Sequence, residues 1–150
     1  MREIKFRGYD TEYELMTYFD SDDYILQYGD ILRQYIRDCN NGGYIVQEVG
    51  YESVEDKVEL MQYTGLKDKN GVEIYEGDIV KVEKVDLAYI YYDEDRMAWG
   101  IKEINEFYFD SPLLSENVSL ELEVIGNIWE NGDLLNDSKK AKEDWVYKWL

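Results

Sequence analysis

The chain of 150 residues predicts a mainly β fold, between all-β and α+β, with a barrel-like core. One inserted or capping helix and a C-terminal helix complete the expectation. Three observations carry it. Short segments such as Ile4–Gly8 and Val118–Val124 alternate apolar with polar residues, the period of a half-buried strand. Turn-forming residues punctuate the chain, at Asn70-Gly71, Glu76-Gly77-Asp78 and Asn131-Gly132-Asp133. Fifteen tyrosines against four phenylalanines favour strands with amphipathic surfaces.

Taken in order, Ile4, Phe6 and Gly8 alternate with Lys5 and Arg7, giving an opening strand in 2–8. A second short strand is expected in 13–19, centred on Leu15 and Met16. From Asp20 the pattern changes. Ile25, Tyr28, Leu32, Tyr35, Ile36 and Cys39 recur at three and four, which predicts a helix over 23–39 stopped by Asn40-Asn41-Gly42-Gly43. Strands follow in 44–49 and through 58–92.

The stretch Leu60–Val85 is the densest. Asn70-Gly71 reads as a type I′ hairpin turn with Asp68 and Lys69 at a polar loop tip. Gly65 marks a bulge or bend, and Ile79, Val80, Val82 and Val85 form a largely buried strand. After a turn at Asp93-Glu94-Asp95 a returning strand begins near Arg96–Trp99, and 101–109 fits either strand or helix. Val118, Leu120, Leu122 and Val124 alternate in a strand over 118–129, whose phase slips at Val124-Ile125, as a bulge near Gly126 or burial on both faces would explain. Ser138 caps a last helix over 139–149, with Ala141, Trp145 and Trp149 in one row and Val146 and Leu150 beside it. Trp145, Trp149 and Leu150 are candidates for an interaction surface, with packing on the chain's own barrel as the alternative.

Composition narrows the chemistry. The length suits a single domain, and 45% hydrophobic residues suffice for a core. The net charge is −18: residues 1–75 carry 8 basic and 16 acidic groups, and residues 76–150 carry 8 and 18. Acidity spread this evenly disfavours direct binding to nucleic acid or anionic membranes. Cys39 is the single cysteine, so no intrachain disulfide forms and a reducing, cytoplasmic setting is expected. No apolar run is long enough to span a bilayer. Histidine is absent, which removes Ser-His and Cys-His nucleophile pairs and most zinc sites.

The remaining chemical candidates are weak. Seven carboxylates and no basic residue lie between Asp10 and Asp30, and Asp20-Ser21-Asp22-Asp23 could hold a hard cation, but the glycine and terminal glutamate of a calcium loop do not follow. Glu55-Asp56-Lys57 matches a short nuclease-like triplet that chance supplies in a chain one-third charged. Tyr89, Tyr91 and Tyr92 could stack bases, yet the basic groove that stacking needs is missing. No catalytic residue, metal or cofactor is expected.

Three blocks resemble the YopX family of phage and prophage proteins: Ile4–Asp10, Leu60–Val80 and Glu123–Asn131 followed by Leu134-Leu135. The resemblance covers 1–10 and 58–135. Residues 20–57 diverge, and Gly132-Asp133 stands where the family would place a proline-containing turn. It implies one YopX-like domain over 1–150, a small pseudo-barrel of SH3-like type, with a divergent insertion at about 20–57. It implies a phage or prophage accessory role and supplies no catalytic residues.

The expected function is protein–protein contact, with a protein partner or a homo-oligomer. Two alternatives belong to other classes: an acidic mimic of nucleic acid that blocks a DNA-binding protein, and a carboxylate-based metal-dependent hydrolase.

Overall fold

A computed structural model describes residues 3–19, 23–27, 30–82, 86–103 and 112–136. The chain is mainly β, and it divides into two compact units, Phe6–Leu60 and Met1–Lys5 with Met61–Leu150.

In the first unit, β1 (Phe6–Asp10) and β2 (Leu15–Tyr18) form an antiparallel pair, with Arg7 opposite Tyr18 and Asp10 opposite Leu15. Gly8 is there because nothing larger fits. A Cβ on it would lie 2.5 Å from Val58 Cγ1 and 3.3 Å from the Phe19 ring. Gly8→Ala should therefore cost about 1–3 kcal/mol through overpacking, read by urea unfolding.

The same unit holds a three-stranded antiparallel sheet of β3 (Tyr24–Gln27), β4 (Asp30–Asn41) and β5 (Tyr44–Ser53), in that order. Among the described residues of 23–39, strands stand where a helix was expected. β4 and β5 pair without interruption from Leu32↔Ser53 to Asn41↔Tyr44. Gly42 and Gly43 close the ribbon with φ of 64° and 96°, the backbone a two-residue type I′ turn demands. Asn-Asn-Gly-Gly is thus the hairpin turn and not a helix stop. Inward residues follow a period of two: Tyr24 and Ile31 are buried and pack with Val54, Val58, Phe19 and Leu26.

The second unit contains the body of β6 (Val58–Lys67), β7 (Glu73–Tyr75), β8 (Asp78–Val82), β9 (Asp86–Asp93), β10 (Ala98–Glu103) and β11 (Leu122–Asn127). β6 pairs with β7 through a register shift between Tyr63 and Lys67, where Gly65 has φ 86° as the bulge requires. The other strands form an antiparallel sheet in the order β10-β9-β8-β11. The shift at Gly126 in β11 bears out the slip read in the sequence. Ile74, Val80, Ala88, Ile90, Trp99, Ile101 and Leu122 form the core of this unit.

Three further expectations are corrected. Residues 116–119 form a short helix, α1 (Glu116–Ser119), because Ser115 caps it by accepting from the Val118 N–H, so the last strand starts at Leu122. The chain is helical again from 132 to 136, starting within the turn expected at Asn131-Gly132-Asp133. Asn70-Gly71 is not a type I′ turn: Gly71 alone of the pair has positive φ, and its N–H donates to the Asp68 carbonyl. Asp at the first and Gly at the fourth position are the preferences of a type I turn. The expected helix over 139–149 lies outside the described residues.

Candidate functional site

The densest polar assembly surrounds Arg33. Strand alternation places Arg33 on the same face of the sheet as Ile31 on β4 and Tyr24 on β3, so a guanidinium enters the interior of this unit. It is buried, and three carboxylates take it up. Arg33 Nη1 donates to Asp10 Oδ2 at 2.9 Å, and Nη2 donates to Glu12 Oε2 at 2.6 Å and Glu52 Oε1 at 2.8 Å. The Tyr13 ring covers the guanidinium at 4.2 Å. Asp10 is fully buried and also accepts from the Tyr24 hydroxyl at 2.7 Å and from the Glu12 and Tyr13 N–H groups.

Burial works to raise the Asp10 pKa, but hydrogen bonds from Tyr24, the Tyr13 N–H, Arg33 and the Glu12 N–H outweigh it and hold the carboxyl below its ordinary value. Burial and the Asp10 carboxylate push Tyr24 up to about 12. A pocket of about 430 Å³ opens beside the cluster, lined by Tyr13, Leu15, Tyr18, Tyr24, Arg33 and Gln34 among others. Its one guanidinium is already saturated by carboxylates, so it offers no free cation to an anionic ligand and no exposed base at Asp10. The cluster is a lock between β1, the loop after it, β4 and β5.

A second polar lock sits in the other unit. Asp68, expected at a wet loop tip, is 2% exposed. Its Oδ1 accepts from the Asn70 and Val72 N–H groups at 2.8 and 2.9 Å, and its Oδ2 from the Val124 N–H at 2.9 Å. Lys69 reinforces the tie, donating its N–H to the Leu122 carbonyl and pairing with Glu123 at 2.6 Å. Burial works to raise the Asp68 pKa, but the three backbone hydrogen bonds together with the Lys69 charge outweigh it and hold the carboxyl below its ordinary value. Asp78 likewise is buried and accepts from the Tyr75 N–H at 2.7 Å.

These shifts have a definite sign. A carboxyl whose folded pKa lies below its unfolded value stabilises the fold above the unfolded value. That contribution is lost as pH falls from the unfolded value, 3.8 for Asp, through the folded one. The stability gap between wild type and Asp68→Asn should therefore be full at pH 7 and narrow below about pH 4, measured by urea unfolding at each pH.

The other residues singled out from sequence do not converge. Glu55-Asp56-Lys57 forms a turn in which Lys57 reaches Glu12 at 3.2 Å. Asp93 accepts from Arg96 within its own turn, and the Tyr92 ring meets Trp99 edge-on at 5.1 Å. Asp20, Ser21 and Asp22 lie outside the described residues, as do Trp145, Trp149 and Leu150. Among the described residues no group of three or more acidic or cysteine side chains is arranged to hold a metal ion. No described helix is long and apolar enough to cross a membrane.

What sequence reading missed is the outward face of the β4–β5 ribbon. Cross-strand partners share a face and successive residues alternate. Ile36 therefore stands beside Val49, and Gln34 beside Tyr51, on the side opposite Arg33 and Glu52. Ile36, Val49 and Ile45 are 60%, 55% and 77% exposed, and Tyr51 is exposed beside them. The half-buried Leu32 and its partner Ile25 on β3 extend the face toward the base. Asp38 is the one charged residue that β4 and β5 place on it between Leu32 and Ile45. The run Cys39–Gln47 is also the longest uncharged stretch in the chain, a signal legible in sequence but masked by the helix reading.

Comparison with known proteins agrees with this architecture. A crystal structure of protein EF1440 from Enterococcus faecalis is similar at 31% identity and a TM-score of 0.56, covering 90% of this chain and 99% of that one. No curated protein matches the chain. The family model described as YopX protein matches residues 5–136, a span that takes in the Arg33 lock, the ribbon and the Asp68 lock. The chain belongs to the YopX protein family.

Proposed function

We propose that this protein is a phage- or prophage-type accessory factor that works in the cytoplasm by protein–protein contact and not by catalysis. Family membership supports the phage or prophage setting. The contact role rests on one observation: the outward face of the ribbon presents Ile36, Val49, Ile45 and Tyr51 to solvent on a chain of net charge −18. Their combined exposed area, on the order of 400 Å², is in the range of the largest apolar patches on monomers, which are often functional. The most conspicuous titratable groups serve architecture: Asp10, Arg33 and Asp68 are all buried in hydrogen bonds to neighbouring strands and loops.

A photo-reactive amino acid placed at Ile36, and separately at Met97, tests the reading in producing cells. Both positions are exposed, and Met97 lies in the turn before β10. Position 36 should give a protein adduct of defined mass and position 97 none. Equal, diffuse labelling from the two positions would refute the contact role.

A further inference from the structure

We infer that the outward face of the β4–β5 ribbon is the interface of a two-fold homodimer, an inference that rests on the contact reading above and names the partner. The first reason is stability. Beyond Gln34 the ribbon has no third strand among the described residues, and a two-stranded hairpin in water is marginal at best. The opposite face gives its outer part little help, since Arg37, Glu48 and Tyr35 there are exposed. A cover is needed whenever the chain is folded, and a second copy is the partner present at every fold.

The second reason is charge. Two chains of net charge −18 repel over most of their surfaces. They can approach where the acid is absent, and this face holds Asp38 alone between Leu32 and Ile45 on β4 and β5.

The third reason is register. Rows on this face follow one another about every 6.6 Å. Place a two-fold axis along the Ile36/Val49 row, between the two faces, so that the ribbons run antiparallel. Ile36 then lies against Ile36 of the second copy and Val49 against its Val49, as isologous contact allows. The next row falls on the row beyond the axis, Gln34 on Asp38 and Tyr51 on Gln47. Gln34 brings an amide donor to the one carboxylate, and Tyr51 a hydroxyl to an amide. Apolar residues thus meet at the axis and the single charge of the face meets a donor.

Light scattering coupled to size exclusion, with sedimentation from about 5 to 100 µM, tests this on the full chain. Wild type should be dimeric. Ile36→Glu and, independently, Val49→Glu should weaken the dimer at least about 100-fold by burying an unpaired charge, with Val80 and Ile90 of the core still protected from amide exchange because both sites are exposed and lie outside that core. Arg37→Gln, on the opposite face, should leave the dimer intact. A wild type that is monomeric throughout, or a dimer that survives both glutamate variants, overturns the inference. An adduct of position 36 with a different protein, from a monomeric chain, sinks the dimer and leaves the contact reading standing. No adduct at that position sinks both.

Discussion

Replacing Arg33 by methionine should lower the unfolding free energy at pH 7 by about 3–5 kcal/mol, because it strands a buried carboxylate. Asp10 is fully buried, and its ion-pair partner at 2.9 Å would be gone. The Tyr24 hydroxyl and two backbone N–H groups would remain, enough to keep the group in place but not to balance its charge. For a chain of this size the loss corresponds to a fall of roughly 10 °C in melting temperature. The test lies in the double variant. Asp10→Asn with Arg33→Met removes the stranded charge as well and should recover part of the loss, since the penalty belongs to the unpaired ion more than to the missing pair. Glu12 and Glu52 are partly exposed and can turn to water when the guanidinium is removed. A single variant that costs under about 1 kcal/mol would show that the pair is no lock.

Asp68→Ala should be about as costly, roughly 3–5 kcal/mol, by a different route. No ion pair is broken. Three backbone N–H groups, of Asn70, Val72 and Val124, lose their acceptor at once. Hydrogen bonds to a charged acceptor contribute about 1.5–3 kcal/mol each, and relaxation of the loop toward water offsets part of the sum. Asp68→Asn keeps the shape and one acceptor oxygen. It turns an amide N–H₂ toward one backbone donor, so it should recover some stability and not all. Thermal unfolding of the three proteins orders them: wild type above Asn, Asn above Ala. Equal stability of Ala and wild type would mean that the loop after β6 does not depend on this carboxylate.

Asp68 also shows what the sequence could and could not say. The block Leu60–Val80 identifies the family, and its irregularity at Gly65 and its turn at Gly77 are read correctly, whereas the turn at Asn70-Gly71 is placed correctly but is of another type. The burial of Asp68 was not legible, because its third partner, Val124, is 56 residues away. Local polarity made a loop tip of it. Arg33 was hidden for a similar reason, since its partners lie on β1, the loop after it and β5.

The helix expected over 23–39 failed on periodicity. Ile25, Leu32, Tyr35, Ile36 and Cys39 do recur at three and four, but β-branched and aromatic residues fill the same stretch, and Gly42-Gly43 supplies the backbone of a type I′ turn. The hairpin that followed is fixed by ten cross-strand pairs, a long-range consistency that no window of that length contains. At Val118–Leu122 the alternation was genuine, yet Ser115 as an N-cap decided the local conformation in favour of α1. By contrast, the slip was legible at Val124-Ile125 because a one-residue phase change shows locally, and of its two remedies, a bulge near Gly126 or burial on both faces, the register shift between Val124 and Gly126 is the first.

The central claim is that the ribbon is covered when the protein is folded, and amide hydrogen exchange tests it most directly. Backbone amides of 36–49 should exchange slowly at concentrations where the chain is associated, and faster on dilution or in Ile36→Glu, while Val80 and Ile90 in the core stay protected throughout. Exchange of 36–49 at open-chain rates at every concentration, with the core still protected, would contradict the account.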